Sequence, residues 1–163
     1  MVPKYFFNFD KLNYVQGKRP KGCVLCHIIN SNPKIPDLTI LKSELFYAAV
    51  NLYPYNPGHI IIFPKRHIVD IRELSDAECL IQRKIQNEII NAIERRYSPS
   101  GFNIGYNLGE DSGASIAHIH MHIIPRFPRE LGMADILAGK RLLVESPFDT
   151  KEKLKEELSA FHI

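Results

Sequence analysis

Apolar and polar positions along the chain follow two periods. Leu45 to Leu52 and His59 to Phe63 are short runs rich in aromatic and β-branched residues, separated by a turn at Pro54 to Gly58. They predict an antiparallel hairpin with a longer loop, and the run Ile60, Ile61, Ile62 predicts burial on both faces. From Ser75 the period changes. Ser75 to Glu78 has the form of a capping box, with Leu74 and Cys79 placed as a hydrophobic staple. Ala77, Leu80, Ile81, Ile85, Ile89, Ala92 and Ile93 then recur at three- and four-residue steps. This predicts a long helix to about Tyr97, stopped by Ser98 to Gly101 and lying lengthwise on one sheet face. Phe102 to Leu108 predicts a further strand, and Ala117 to Arg126 another with strict alternation. Leu154, Leu158 and Phe161 form one stripe, which predicts a short helix over Lys151 to Phe161. The pattern gives an α+β fold, with an antiparallel sheet of about five strands, one long helix and a short C-terminal helix.

Composition narrows the class. At 163 residues the chain reads as a single domain over 1–163, large enough to bury about 70% of the surface its unfolded chain exposes. Its 45% hydrophobic and 24% charged content is ordinary for a soluble protein. No apolar run approaches the ~20 residues a membrane span needs. Tyr5, Phe6, Phe7 and Phe9 are interrupted by Asn8, with Lys4 before them and Asp10 after, unlike the core of a signal peptide, so a cytoplasmic location is expected. A net charge of +3 is too small to argue for nucleic-acid binding, which is not expected, and does not oppose an anionic nucleotide. Residues 1–22 carry aromatics expected to lie on the core surface, followed by a basic turn. Residues 127–163 form a C-terminal extension.

Three stretches carry candidate chemistry. In a strand over Ala117 to Arg126, His118, His120 and His122 project from one face about 7 Å apart, while Ile119, Met121 and Ile123 project from the other. One face is then core and the other chemistry. The alternatives are a solvent-facing accident or a metal-binding tract. Cys23 and Cys26 stand at Cys-x-x-Cys spacing. Haem attachment would belong outside the cytoplasm, a redox dithiol would want a βαβ context, and a pair of small core residues is the plain reading. The favoured reading is half of a tetrahedral zinc site, because two thiolates so spaced can share one ion. Gly109 to Ser115 is a loop of small residues that suits either a simple connection or an anion cradle. Cys79 lies beside the helix stripe and reads as packing. Arg126, Arg129, Lys140 and Arg141 could line a polyphosphate path, although most such charges are simply solvated.

These stretches together resemble the histidine triad (HIT) superfamily of nucleotide hydrolases and transferases. The resemblance runs from Cys23 to Arg126 through the triad, the run Asn51 to His67, and Gly101 to Asn107. The run Asn51 to His59 is most similar to the diadenosine tetraphosphate phosphorylase branch. The resemblance implies a HIT-like fold, with His120 as the nucleophile that forms a nucleotidyl-histidine intermediate. It makes His122 and His59 the groups that orient and polarise the phosphate. For His59, a strand-start residue satisfied by a loop carbonyl is the other reading. Asn51, Asn107, Gly113 and Ser115 match positions that hold nucleoside, ribose and α-phosphate. Ala114 departs from the glutamine that many members carry there. His67 and His118 match the positions that complete a structural zinc site with Cys23 and Cys26. The implied reaction is nucleotidyl transfer on a dinucleoside polyphosphate, with phosphorolysis of diadenosine tetraphosphate to ADP and ATP favoured and inorganic phosphate as co-substrate. Hydrolysis of dinucleoside polyphosphates or nucleoside phosphoramidates, and a non-catalytic nucleotide-binding module, are the alternatives. A homodimer that pairs two sheets edge to edge is also implied.

Overall fold

The computed structural model describes residues 21–128, 130 and 145–162. The aromatics of residues 1–20 and the basic residues Arg129, Lys140 and Arg141 lie outside the described residues. Five strands form one antiparallel sheet: β1 (Thr39–Lys42), β2 (Phe46–Val50), β3 (Ile60–Pro64), β4 (Gly101–Tyr106) and β5 (Met121–Arg126), in the order β1-β2-β3-β5-β4. A short helix α1 (Val24–Ile29) precedes the sheet, a long helix α2 (Asp76–Tyr97) joins β3 to β4, and α3 (Pro147–Glu157) closes the fold.

Every residue of β3 is buried, because both sheet faces are covered. On one face Ile60 and Ile62, with Phe46, Ala48, Met121 and Ile123, pack against Ile85, Ile89, Ala92 and Ile93 of α2 and Leu154 of α3. On the other, Ile61, Phe63 and Ala49 pack against Leu25 of α1. The large cluster holds the sheet, and the small one supports the site. Gly58 turns the chain into β3 at φ +81°, and a Cβ there would stand 3.2 Å from Pro125 Cγ. A side chain at this turn would therefore meet both a backbone penalty and a steric one.

Several expectations shift. The histidine strand was expected over Ala117 to Arg126, but its regular part starts at Met121. Upstream, the chain is held instead by Ile119 N–H donating to the Ile68 carbonyl at 2.7 Å. Strands β2 and β3 are slightly offset from the expected runs, and β1 and α1 have no counterpart in the periodic pattern. Helix α2 matches its expected length, and both arms of its Ser75–Glu78 capping box form. Its first turns differ. Ala77, Cys79 and Leu80 are exposed, while Glu78 and Gln82 are buried. Polar ties replace apolar packing there: Glu78 takes the Arg66 guanidinium at 2.6 and 2.8 Å, and Gln82 accepts from the Tyr106 hydroxyl at 2.8 Å. Neither the staple nor the packing role expected of Cys79 survives. Helix α3 begins a turn earlier than expected, capped by Ser146 with Pro147 in its first turn, and Phe161 lies past its end.

Candidate active site and metal centre

The three histidines share the α1-side face of the sheet yet serve two sites. His122 pairs in register with Ile61, and the His118 ring meets Phe63 edge-on at 6.1 Å. His118 reaches the cysteines, whereas His120 and His122 line a cavity of about 400 Å³.

His120 is buried, and its Nδ1 lies 2.8 Å from the His118 carbonyl oxygen. A carbonyl only accepts, so Nδ1 holds the proton and donates, and Nε2 keeps a lone pair. Burial pushes the His120 pKa below its ordinary value and favours this neutral form. His122 has the opposite arrangement. The Tyr55 N–H donates to His59 Nδ1 at 3.2 Å, which leaves the His59 proton on Nε2, 3.0 Å from His122 Nδ1. A neutral His122 that accepts at Nδ1 carries its own proton on Nε2. The two cavity rings, 4.8 Å apart, thus present one lone pair and one N–H. That pairing suits attack on an electrophilic centre beside a developing negative charge.

The cavity lining is part apolar and part polar. Val24, Leu25, Ile28, Ile35 and Leu38 supply apolar side chains. Asn51, Asn107, Gly113, Ala114 and Ser115 join the histidines on the wall. The Asn51 side chain is fixed by the Tyr53 N–H, which donates to Oδ1 at 3.0 Å, and its amide nitrogen lies 3.4 Å from His59 Nε2. Gly113 adopts φ +84° in the loop that delivers Ala114 and Ser115. His59 is fully buried behind His122 and does not line the cavity. All seven residues named from the sequence for catalysis and substrate binding gather here, six on the wall and His59 behind it.

Cys23, Cys26, His67 and His118 form a second cluster, with one potential ligand atom each, all within 4.8 Å of one another. Cys23 Sγ lies 3.4 Å from His118 Nδ1, and Cys26 Sγ lies 3.3 Å from His67 Nδ1 and 3.6 Å from His118 Nδ1. Two sulfurs and two ring nitrogens at such spacings fit around one tetrahedral zinc. His118 Nε2 donates to the Pro64 carbonyl at 2.9 Å, which turns the Nδ1 lone pair toward the thiols. Burial holds His118 neutral, its pKa pulled down to about 4. Burial, then the neighbouring Cys23 thiol, push Cys26 up to about 11, so a cation is what would let this pair carry thiolate charge. The cluster could hold a metal.

Sequence reasoning missed the groups that set tautomers, namely the Tyr55 amide and the carbonyls of Pro64 and His118. It also missed the Tyr55 ring, stacked on His59 at 5.4 Å with 16° between planes. The apolar wall supplied by α1 carried no sequence signal beyond its hydrophobic residues.

Residues 32–129 match the HIT domain family. The chain is 34% identical over 129 residues to AP-4-A phosphorylase of Mycobacterium tuberculosis, covering 77% of this chain and 66% of that protein, so it spans slightly less than two thirds of that relative's length. It is 32% identical over 96 residues to an asymmetrical bis(5'-nucleosyl)-tetraphosphatase of Schizosaccharomyces pombe, covering 59% of this chain and 53% of that protein. A zinc-bound histidine triad family protein from Mycobacterium smegmatis superposes with a TM-score of 0.67 at 24% identity, over 85% of this chain and 94% of that one.

Proposed function

The chain belongs to the HIT domain family, and from that premise we propose that it transfers a nucleotidyl group from a dinucleoside polyphosphate through His120, its reaction being phosphorolysis of diadenosine tetraphosphate to ADP and ATP. The observation that carries this reading is the hydrogen bond from His120 Nδ1 to the His118 carbonyl, which keeps Nε2 ready to attack. The apolar part of the cavity lining takes an adenine, and Asn51 and Asn107 take its ribose. Gly113 and Ser115 face the α-phosphate. His120 Nε2 bonds to the α-phosphorus as the bond to the bridging oxygen breaks, and ATP leaves. His122, oriented by His59, donates toward the phosphoryl oxygens as charge builds. Inorganic phosphate then attacks the nucleotidyl-histidine, releasing ADP and restoring the imidazole. Water in the same position would give AMP.

Phosphorolysis is favoured over hydrolysis by the resemblance to the mycobacterial phosphorylase and by Ala114 on the cavity wall, where a glutamine would reach the phosphate chain. Zinc at Cys23, Cys26, His67 and His118 would be structural, because four protein ligands complete a tetrahedral shell and leave no position for substrate. The protein acts in the cytoplasm as a homodimer. None of the described helices is long and apolar enough to cross a membrane. The test is incubation with diadenosine tetraphosphate, with and without inorganic phosphate, followed by separation of the nucleotides. ADP plus ATP formed only with phosphate is the expected result. AMP plus ATP regardless of phosphate would make the protein a hydrolase, and nucleotide binding without turnover would make it a binding module.

A further inference from the structure

Helix α1 belongs to both sites at once. Cys23 at its N-terminus and Cys26 one turn on contact His67 and His118. Val24, Leu25 and Ile28 lie on the wall of the cavity. The same turns that present two thiols to the metal cluster therefore present three aliphatic side chains to the cavity.

Among the described residues, the other polar ties of the helix are local. The helix has six residues, and its N-cap makes no side-chain hydrogen bond. A helix this short does not persist on propensity alone. The His27 ring bonds to the Lys21 carbonyl at 2.8 Å and to the Asn32 amide at 3.2 Å, both within the same stretch of chain. Those bonds tie α1 to its flanks and leave its seat on the sheet to other contacts. Among the described residues, that seat rests on Leu25 and its neighbours packed against Ala49, Ile61 and Phe63, and on the thiols facing the two histidines. The histidines sit on firmer ground. His118 is anchored to Pro64 at the end of β3, and Ile119 to Ile68.

Resting on the reading of the cavity as a nucleoside site, we propose that metal bound by Cys23, Cys26, His67 and His118 sets nucleotide affinity by clamping α1 as the wall of that site, so that metal and nucleotide bind with positive coupling. Without the metal, α1 has lost its cross-links to His67 and His118, and a nucleotide must order the wall as it binds. With the metal, that ordering is already complete. Linkage makes the effect reciprocal: whatever factor the metal adds to nucleotide affinity, the nucleotide adds to metal affinity.

Two measurements test this. The affinity for AMP is measured by calorimetry on zinc-loaded and zinc-stripped protein, with circular dichroism on the stripped form. Zinc affinity is measured separately by competition with a chelator, starting from loaded protein, with and without saturating AMP. The second arm holds even if the stripped protein unfolds. The expected result is AMP binding weakened at least about fivefold on stripping, and zinc retention strengthened by AMP by a similar factor. In the loaded protein, Ile28→Ala should weaken AMP binding while one zinc per chain is retained. Equal AMP affinity in folded loaded and stripped forms, or zinc retention indifferent to AMP, would overturn the coupling and leave the transferase reading standing. Failure of AMP to bind either form would overturn that reading and the coupling with it.

Discussion

An imidazole attacks phosphorus through one nitrogen only while the other keeps its proton, and in His120 a single main-chain carbonyl imposes that asymmetry. His120→Ala should therefore lower turnover by roughly 10³-fold or more and abolish the nucleotidyl-enzyme adduct in intact-protein mass spectra, with AMP still bound. Turnover near the wild-type level would move the nucleophile elsewhere. Gly58 bears on the proposed chemistry at one remove. It precedes His59 at φ +81°, with Pro125 and Tyr97 close to where a Cβ would stand. Gly58→Ala should cost about 1 to 3 kcal/mol of stability, read by denaturant unfolding, and lower kcat more than it raises KM, because His59 would no longer hold His122 in place. The histidines and cysteines were legible in the sequence because their chemistry is unusual at that spacing. Their orienters were not. The Tyr55 amide and the Pro64 and His118 carbonyls are main-chain groups that every residue carries, and only the fold selects which of them meet a ring.

The start of α2 joins the cysteine–histidine cluster to the main core. Arg66, next to His67 of that cluster, reaches the carboxylate of Glu78, which also closes the Ser75 capping box. The Arg66 hydrogen bond, together with those from Ser75, holds the Glu78 pKa near 2, below its usual 4.5, against the opposing effect of burial. A carboxylate with a depressed folded-state pKa contributes stability above its unfolded pKa and loses it as pH falls through the folded value. The Glu78 contribution is thus present above about 4.5 and lost on descending toward 2. Glu78→Gln should lower stability by about 1 kcal/mol near neutrality, a modest figure because Arg66 is half exposed and screened. The deficit should close as pH falls through that window in thermal melts. A deficit independent of pH would assign Glu78 a packing role instead. At this scale α2 was readable from its cap and period, yet Leu80 is 63% exposed, since periodicity marks which side is apolar and not where the sheet beneath it ends. Strand β1 is four residues long with a register shift between Thr39 and Leu41, and α1 is a turn and a half, too short for either period to register.

Among the described residues, one edge of the sheet has apolar side chains on display. There strand β4 pairs with β5 on one side only. Asn103, Ile104 and Gly105 along it are exposed, Ile104 by 42%. Leu108 just beyond it is 43% exposed, and the Tyr106 hydroxyl ties this strand to α2 at Gln82, two residues from exposed Leu80. An edge with open backbone groups is a template for another strand, and proteins that stay monomeric cover or charge it. Ile104 and Leu108 do neither. A second copy that adds its own β4 antiparallel would continue the ladder across a two-fold axis and bury these side chains against their equivalents. Light scattering on the purified protein should accordingly give twice the 18.7 kDa chain mass. Ile104→Lys would place two like charges near the axis, and at micromolar concentration it should shift the mass toward that of one chain while the circular dichroism spectrum is unchanged. Neither His120 nor the cysteine cluster contacts β4 through a described hydrogen bond, so the variant's zinc content should match the wild type. A wild-type protein of single-chain mass would remove the dimer, and an undissociated Ile104→Lys variant would move the interface off this edge.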